Sequence, residues 1–173
     1  MRAFYHDDDT ITDYREDHDS GIPVSEQELL KLGLIYHNLD SLEKVDKLAN
    51  ERNYQNRDQI EISPTSFETP EILKSKLDNF FKEHIHEDEE IRYIIDGEGF
   101  FDVRSKDDKW IRIKVFQNDL LILPPGIYHR FTLSNKNFIK ALRLFKDEPK
   151  WIPLPRPVDD NQYRQAYLKS IET

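Results

Sequence analysis

His84-Ile85-His86-Glu87-Asp88-Glu89-Glu90 sits where an apolar helical pattern gives way to a series of short β-rich runs, and His129 follows Pro124-Pro125-Gly126-Ile127-Tyr128 on a later run. Residues two apart on a strand point to the same face, so His84 and His86 aim one way, and an acidic turn lets Glu90 swing back onto the same point. Three histidines and one glutamate, in a chain with no cysteine, make a nitrogen and oxygen site suited to Fe, Ni, Mn, Co or Zn. A His-x-His pair near a helix end is more often a surface feature or a satisfied core pair. The four residues together point to a metal centre.

From His84 to about Lys146 the chain reads as strands: Ile91 to Ile95, Phe100 to Val103, Trp110 to Val115, Leu120 to Leu123, His129 to Leu133 and Phe138 to Phe145. They are separated by turn residues, with no helical pattern between them, which calls for an antiparallel sandwich or barrel. Upstream, residues 1 to 23 read as an acidic, extended lead-in. Ser25-Glu26-Gln27-Glu28 is a capping box, and Leu29, Leu30 and Leu32 run to Gly33. A second helix is expected over Ser41 to Asn53, with Leu42, Val45, Leu48 and Ala49 on one face. Ile60 and Ile62 suggest a short strand. Thr69-Pro70 then opens a helix presenting Ile72, Leu73, Leu77, Phe80 and Phe81. Beyond the strands, Pro149 to Pro157 reads as a proline-rich strap, and Asp160 to Ser170 as a final helix carrying Tyr163, Tyr167 and Leu168.

The 173 residues suit one domain over 1–173, divided into an N-terminal part (1–83), a core with the metal site (84–146) and a C-terminal strap and helix (147–173). Asp plus Glu (34) exceed Lys plus Arg (25), for a net charge of -9, which disfavours nucleic acid and anionic membranes as partners. No apolar run approaches the roughly 18 residues of a membrane span, and the N-terminal residues lack a basic start followed by an apolar stretch. The expectations are a cytoplasmic protein, with the nucleus open to it, and no membrane insertion. No exposed apolar stripe demands a dimer, so a monomer is expected.

Arg92 lies two residues after Glu90 and should face the same interior, where a buried arginine must be paired. It can form a structural ion pair or bind the anionic oxygens of a substrate at the metal; we take the second as the expectation. Phe131, two beyond His129, and Phe80 and Phe81, just before His84, are candidate pocket residues, although phenylalanine inside a barrel is usually core. Glu87, Asp88 and Glu89 form the turn, and one of them is a candidate acceptor for a ligand histidine.

The four candidate ligands with their glycines match the two-part signature of the cupin superfamily, whose double-stranded β-helix is a jelly-roll-like barrel. That implies a mainly β fold with flanking helices. The match departs at Asn118, where the superfamily often has glycine, and at Leu133, where it often has asparagine. Beyond the superfamily, His84 to Tyr93, Gly99 to Arg104, Trp110 to Arg112, Leu123 to Thr132, Ala141 to Phe145 and Arg52-Asn53-Tyr54 resemble the acireductone dioxygenases, most closely their eukaryotic, fungal-type members.

The resemblance implies an oxidoreductase of methionine salvage that takes acireductone (1,2-dihydroxy-3-keto-5-methylthiopentene) and dioxygen. With Fe(II) it forms 2-keto-4-methylthiobutyrate and formate; with Ni(II) it forms methylthiopropionate, carbon monoxide and formate. It implies His84, His86, Glu90 and His129 as ligands to one ion per chain and no organic cofactor, with Arg92, placed beside them by its offset from Glu90, as the expected catalytic residue. The alternatives are a non-catalytic metal-binding cupin acting as a regulatory interaction protein, and another cupin enzyme such as a sugar-phosphate isomerase. The latter needs several interior basic residues, of which the sequence shows only Arg92.

Overall fold

The computed structural model describes residues 1–148 and 152–172. In chain order its elements are β1 (Arg2–His6), β2 (Asp19–Pro23), α1 (Glu26–Lys31), β3 (Ile35–Asn38), α2 (Leu42–Glu51), β4 (Asn56–Ile62), α3 (Pro70–Phe80), β5 (His84–Ile85), β6 (Glu90–Gly97), β7 (Gly99–Arg104), β8 (Trp110–Val115), β9 (Asp119–Leu123), β10 (His129–Leu133), β11 (Ile139–Phe145), β12 (Leu154–Pro155) and α4 (Gln162–Ser170). The strands form two antiparallel sheets. One has the order β12-β5-β10-β7-β8-β1-β2 and the other β3-β9-β6-β11-β4. This is the mainly β, double-sheet jelly-roll architecture of the cupin barrel.

Alternation along the strands builds the layers. In β9, Leu121 and Leu123 join the core between the sheets, where Phe101, Val103, Ile111 and Ile113 meet them from the other side. Leu120 and Ile122 face outward into a second cluster with Ile91, Tyr93, Leu142 and Leu144, covered by Val45 and Ala49 of α2. Complete burial of Val45 contributes roughly 1.5–3 kcal/mol. Local signals place the helices. Glu28 N–H donates to Ser25 Oγ (3.1 Å) while Ser25 N–H donates to Glu28 Oε2 (2.6 Å), closing the capping box. Ile72 N–H donates to Thr69 Oγ1 (3.2 Å) ahead of α3.

Some expectations need correction. Residues 1–23 are no mere lead-in: β1 pairs with β8 and β2 extends the same sheet. Of the stripes expected to face the core, Leu42, Ile72, Leu30 and Leu168 stay exposed, because each lies at the edge of its helix's buried face. The proline-rich strap contributes the two-residue strand β12, paired to β5, while its Pro149, Lys150 and Trp151 lie outside the described residues. Asn118, the departure from the expected glycine, has φ +76°, a conformation that asparagine adopts more readily than most residues.

The segment between β1 and β2 folds over the outer face of β8. Arg112, fully buried, grips Asp102 through Nε (2.8 Å) and Nη2 (2.9 Å), and its Nη1 donates to the carbonyls of Tyr14 and Glu16. Asp102 also accepts from Arg130 Nε at 2.8 Å. At the root of this segment His6 stacks on His18 with centroids 4.7 Å apart, and Asp8 N–H donates to His6 Nδ1 (2.9 Å). Burial, reinforced by the Arg112 charge, pushes the His6 imidazole down to about 4. In the unfolded chain it titrates near 6.5, so between these values the unfolded state binds the extra proton and stability falls as pH falls, by on the order of 3 kcal/mol at the acid end. The melting temperature should drop from pH 6.5 to 4. His6→Asn, whose amide oxygen can still accept from Asp8 N–H, should flatten part of that slope; an unchanged slope in differential scanning calorimetry would refute the assignment.

Candidate metal centre

Two stretches far apart in sequence are sewn together here. His129 on β10 pairs in register with His84 on β5, and Gly126 N–H donates to the carbonyl of His86 at 3.0 Å. Gly126 has φ +86°, and a Cβ there would lie 2.4 Å from the Tyr163 carbonyl oxygen, so the turn that delivers His129 requires glycine. The ring centroids of His84 and His129 are 4.4 Å apart, those of His84 and His86 4.8 Å, and those of His86 and His129 5.3 Å. Each ring presents one nitrogen within 4.8 Å of the others.

The opposite nitrogens explain which atoms converge. His84 Nδ1 donates to the Lys82 carbonyl (2.7 Å), His129 Nδ1 to the Ile127 carbonyl (2.9 Å) and His86 Nδ1 to the Ile152 carbonyl (3.3 Å). Three backbone oxygens thus fix the same tautomer in all three rings and leave each Nε2 with a free lone pair. Glu90, at the start of β6, places Oε2 2.6 Å from His129 Nε2, yet both atoms are buried without a well-directed hydrogen bond. Buried polar atoms left this way, among three imidazole nitrogens and a carboxylate, fit a divalent cation.

Electrostatics keep the donors ready. Burial drives His84 down to about 4, helped by the neighbouring His129, and burial likewise lowers His86. For Glu90, burial alone would raise the carboxyl; Arg92, with Nη2 2.8 Å from Glu90 Oε1, and His129 outweigh it and hold the group well below the usual carboxylate range. The His84 and His86 rings are therefore neutral and the Glu90 carboxylate charged at neutral pH, the states a metal needs.

The four donors open into a cavity of about 300 Å³ between the sheets. Arg92 lines it, as expected from its offset on β6, with Nη1 donating to the Ile91 carbonyl (3.0 Å). Phe131 and Phe80 also line it, their rings edge to face at 6.2 Å. Phe81 does not belong with them. It caps the C-terminus of α3, and the turn of the backbone sends its ring the other way, to stack on Tyr14 at 4.5 Å beneath the Arg130 guanidinium. The acidic turn orients no ligand histidine either: Glu89 accepts instead from Tyr54 Oη (2.6 Å) and pairs with Lys146 (3.1 Å), because carbonyls already occupy every Nδ1.

Arg143 is a charged lining residue that the sequence reading missed, as it missed the apolar Ile94, Phe101 and Ala141; its signal was a lone charge at alternate spacing in Ala141-Leu142-Arg143-Leu144-Phe145. Asp58 holds it through two contacts of 2.7 Å. A second histidine group, His6, Asp7 and His18, also brings its ligand atoms within 4.8 Å. Its two rings lie within 10° of parallel and His18 is engaged at both nitrogens, so they do not converge on a common point.

A double-sheet β-barrel holding a three-histidine, one-carboxylate pocket between its sheets defines the cupin class. Within it, the model of the ARD/ARD' family matches residues 2–153, and the chain belongs to that family. It is 54% identical to a protein of Yarrowia lipolytica named acireductone dioxygenase, over 99% of both chains. It is 55% identical to one of the same name from Emericella nidulans, over 99% of this chain and 96% of that one. Among solved structures, the acireductone dioxygenase from Bacillus anthracis, with a cadmium ion in its active centre, superposes with a TM-score of 0.65. It covers 74% of this chain and 86% of its own at 24% identity, a likeness of fold.

Proposed function

We propose that this chain is an acireductone dioxygenase of methionine salvage, acting in the cytoplasm, with the nucleus open to it. The carrying observation is the convergence of His84, His86 and His129, each imidazole locked by a carbonyl at Nδ1, with the Glu90 carboxylate 2.6 Å from His129 Nε2, in a chain similar over its full length to proteins of that name. A divalent ion such as Fe(II) or Ni(II), held by these residues, would supply Lewis acidity toward the oxygens of a chelating substrate.

The rest is the work of the chain's own side chains. With a divalent ion bound, the Glu90 carboxylate would bring the net charge of the centre to about +1, which would favour an anionic enediolate. Arg92 faces the same space and offers donors to oxygens as negative charge develops on them. Phe80 and Phe131 cover the chamber and limit the entry of water. A phosphorylated sugar fits poorly, since of the two arginines lining the cavity Arg143 is already engaged by Asp58, which leaves Arg92 alone to meet a phosphate dianion.

Protein freed of metal and reloaded with Fe(II) should convert acireductone and dioxygen to the 2-keto acid and formate. Reloaded with Ni(II), it should release carbon monoxide. Product analysis by NMR and gas chromatography checks this. Identical products from both samples would end the dual-metal reading, and no dioxygen uptake from either would end the dioxygenase reading.

A further inference from the structure

The inner face of the five-stranded sheet is graded in rows across β6, β11 and β4. Beside the ligands runs a polar row in which Arg143 pairs in register with Arg92 on one side and Asp58 on the other. Two residues along β11, about 7 Å farther from the metal end, Ala141 pairs with Ile94 and with Ile60. Beyond that, Ile139 pairs with Ile62. In the second row both neighbours are isoleucine and the centre is alanine, so the floor of the cavity has a notch. Above it stand Phe101 and Phe131, paired across β7 and β10 with ring centroids 5.0 Å apart. Ala141 is only 2% exposed, and the open space beside it is the cavity itself.

We propose that Ala141 determines which substrates this site accepts by setting the length of the apolar tail that fits between the isoleucine floor and the Phe101–Phe131 wall. The inference rests on the dioxygenase reading for its head group. A molecule whose oxygens lie beside the ligands and Arg92 can extend an unbranched tail along β11 only by passing over position 141. A larger side chain there fills the notch while touching neither a ligand nor Arg92, so it penalises long tails and spares short ones. One methylene of misfit in an apolar pocket changes kcat/KM by roughly 10- to 200-fold.

The test uses Ala141→Leu and Ala141→Val, the second a milder change that a β-strand favours. Fe(II)-loaded parent and variants are compared on acireductones whose tails run from a single methyl to the methylthioethyl length and beyond. Both variants should bind metal as the parent does and keep kcat/KM for the methyl compound within about threefold, while losing on the order of 10- to 100-fold for the long tails. Equal losses for every tail, or no loss for long ones, would overturn the proposal. Calorimetric binding of straight-chain 2-oxo acids of graded length to the metal-loaded proteins gives a second readout that needs no turnover. If the parent consumed no acireductone, the dioxygenase reading would fail. The proposal would then stand on a shortened length cut-off in the Ala141→Leu titrations and fall if the cut-off matched the parent's.

Discussion

Replacing His129 with alanine is expected to leave a folded protein that no longer retains its metal through desalting and that turns acireductone over on the order of 10³-fold more slowly or worse. His129 is 2% exposed, sits between β5 and β7, and is the ring nearest to Glu90 Oε2. Its loss removes one donor of four and leaves a buried carboxylate oxygen beside a void. The fold should pay only a modest penalty, about 1–3 kcal/mol, since β10 keeps its pairing to β7. The separating observation is thermal. Added metal should raise the parent's melting temperature, by about 4 kcal/mol of stabilisation at a thousandfold excess over Kd, and should barely move the variant. A variant that still gained stability from metal and turned over at the parent rate would place the centre elsewhere.

Arg92→Leu is expected to keep metal but lose turnover, with a fall in kcat/KM of on the order of 10²–10³-fold. The guanidinium is fixed by Glu90 at 2.8 Å and by the Ile91 carbonyl at 3.0 Å, so it is both partner to a ligand and lining of the chamber. Removing it leaves the Glu90 carboxylate unpaired in the metal-free protein, at a cost of roughly 3–5 kcal/mol. Metal should restore much of that, because the cation replaces the lost positive charge. Arg92→Lys should recover the stability better than the rate, since an ammonium keeps the charge but not the planar fork. Melting temperature and acireductone consumption, measured with and without metal, distinguish the roles. A metal-loaded Arg92→Leu protein that consumed substrate at the parent rate would leave Arg92 as scaffold alone.

The six strands from Ile91 to Phe145 were legible because both faces of each are buried or half-buried, and the breaks between them carry Gly, Asn and Asp. β1 and β2 were not. β2 is exposed along its whole length, so no apolar alternation marks it, and its place is set by backbone pairing at a sheet edge. The candidate ligands could be named from residue type and spacing, yet the carbonyls of Lys82, Ile127 and Ile152 that orient them could not, since any residue offers the same backbone oxygen. Phe80 and Phe81 show the limit at a helix end: adjacent residues diverge, and one lines the cavity while the other packs under Arg130. The buried trio Asp102, Arg112 and Arg130 was hidden for a related reason. In sequence these charges look solvent-facing; their cover comes from residues distant in the chain, the segment carrying Tyr14 and Glu16 over Arg112 and the rings of Phe81 and Trp110 against Arg130.

The central claim is that one divalent ion sits among His84, His86, Glu90 and His129. Anomalous diffraction at the metal's absorption edge, from crystals of protein loaded with one equivalent of Fe(II) or Ni(II), tests it most directly. The expected map has a single strong peak per chain, bounded by the Nε2 atoms of His84, His86 and His129 and a Glu90 oxygen, and the same peak for either metal. A peak beside His6 and His18, or density that leaves Glu90 Oε2 paired only with His129, would contradict it.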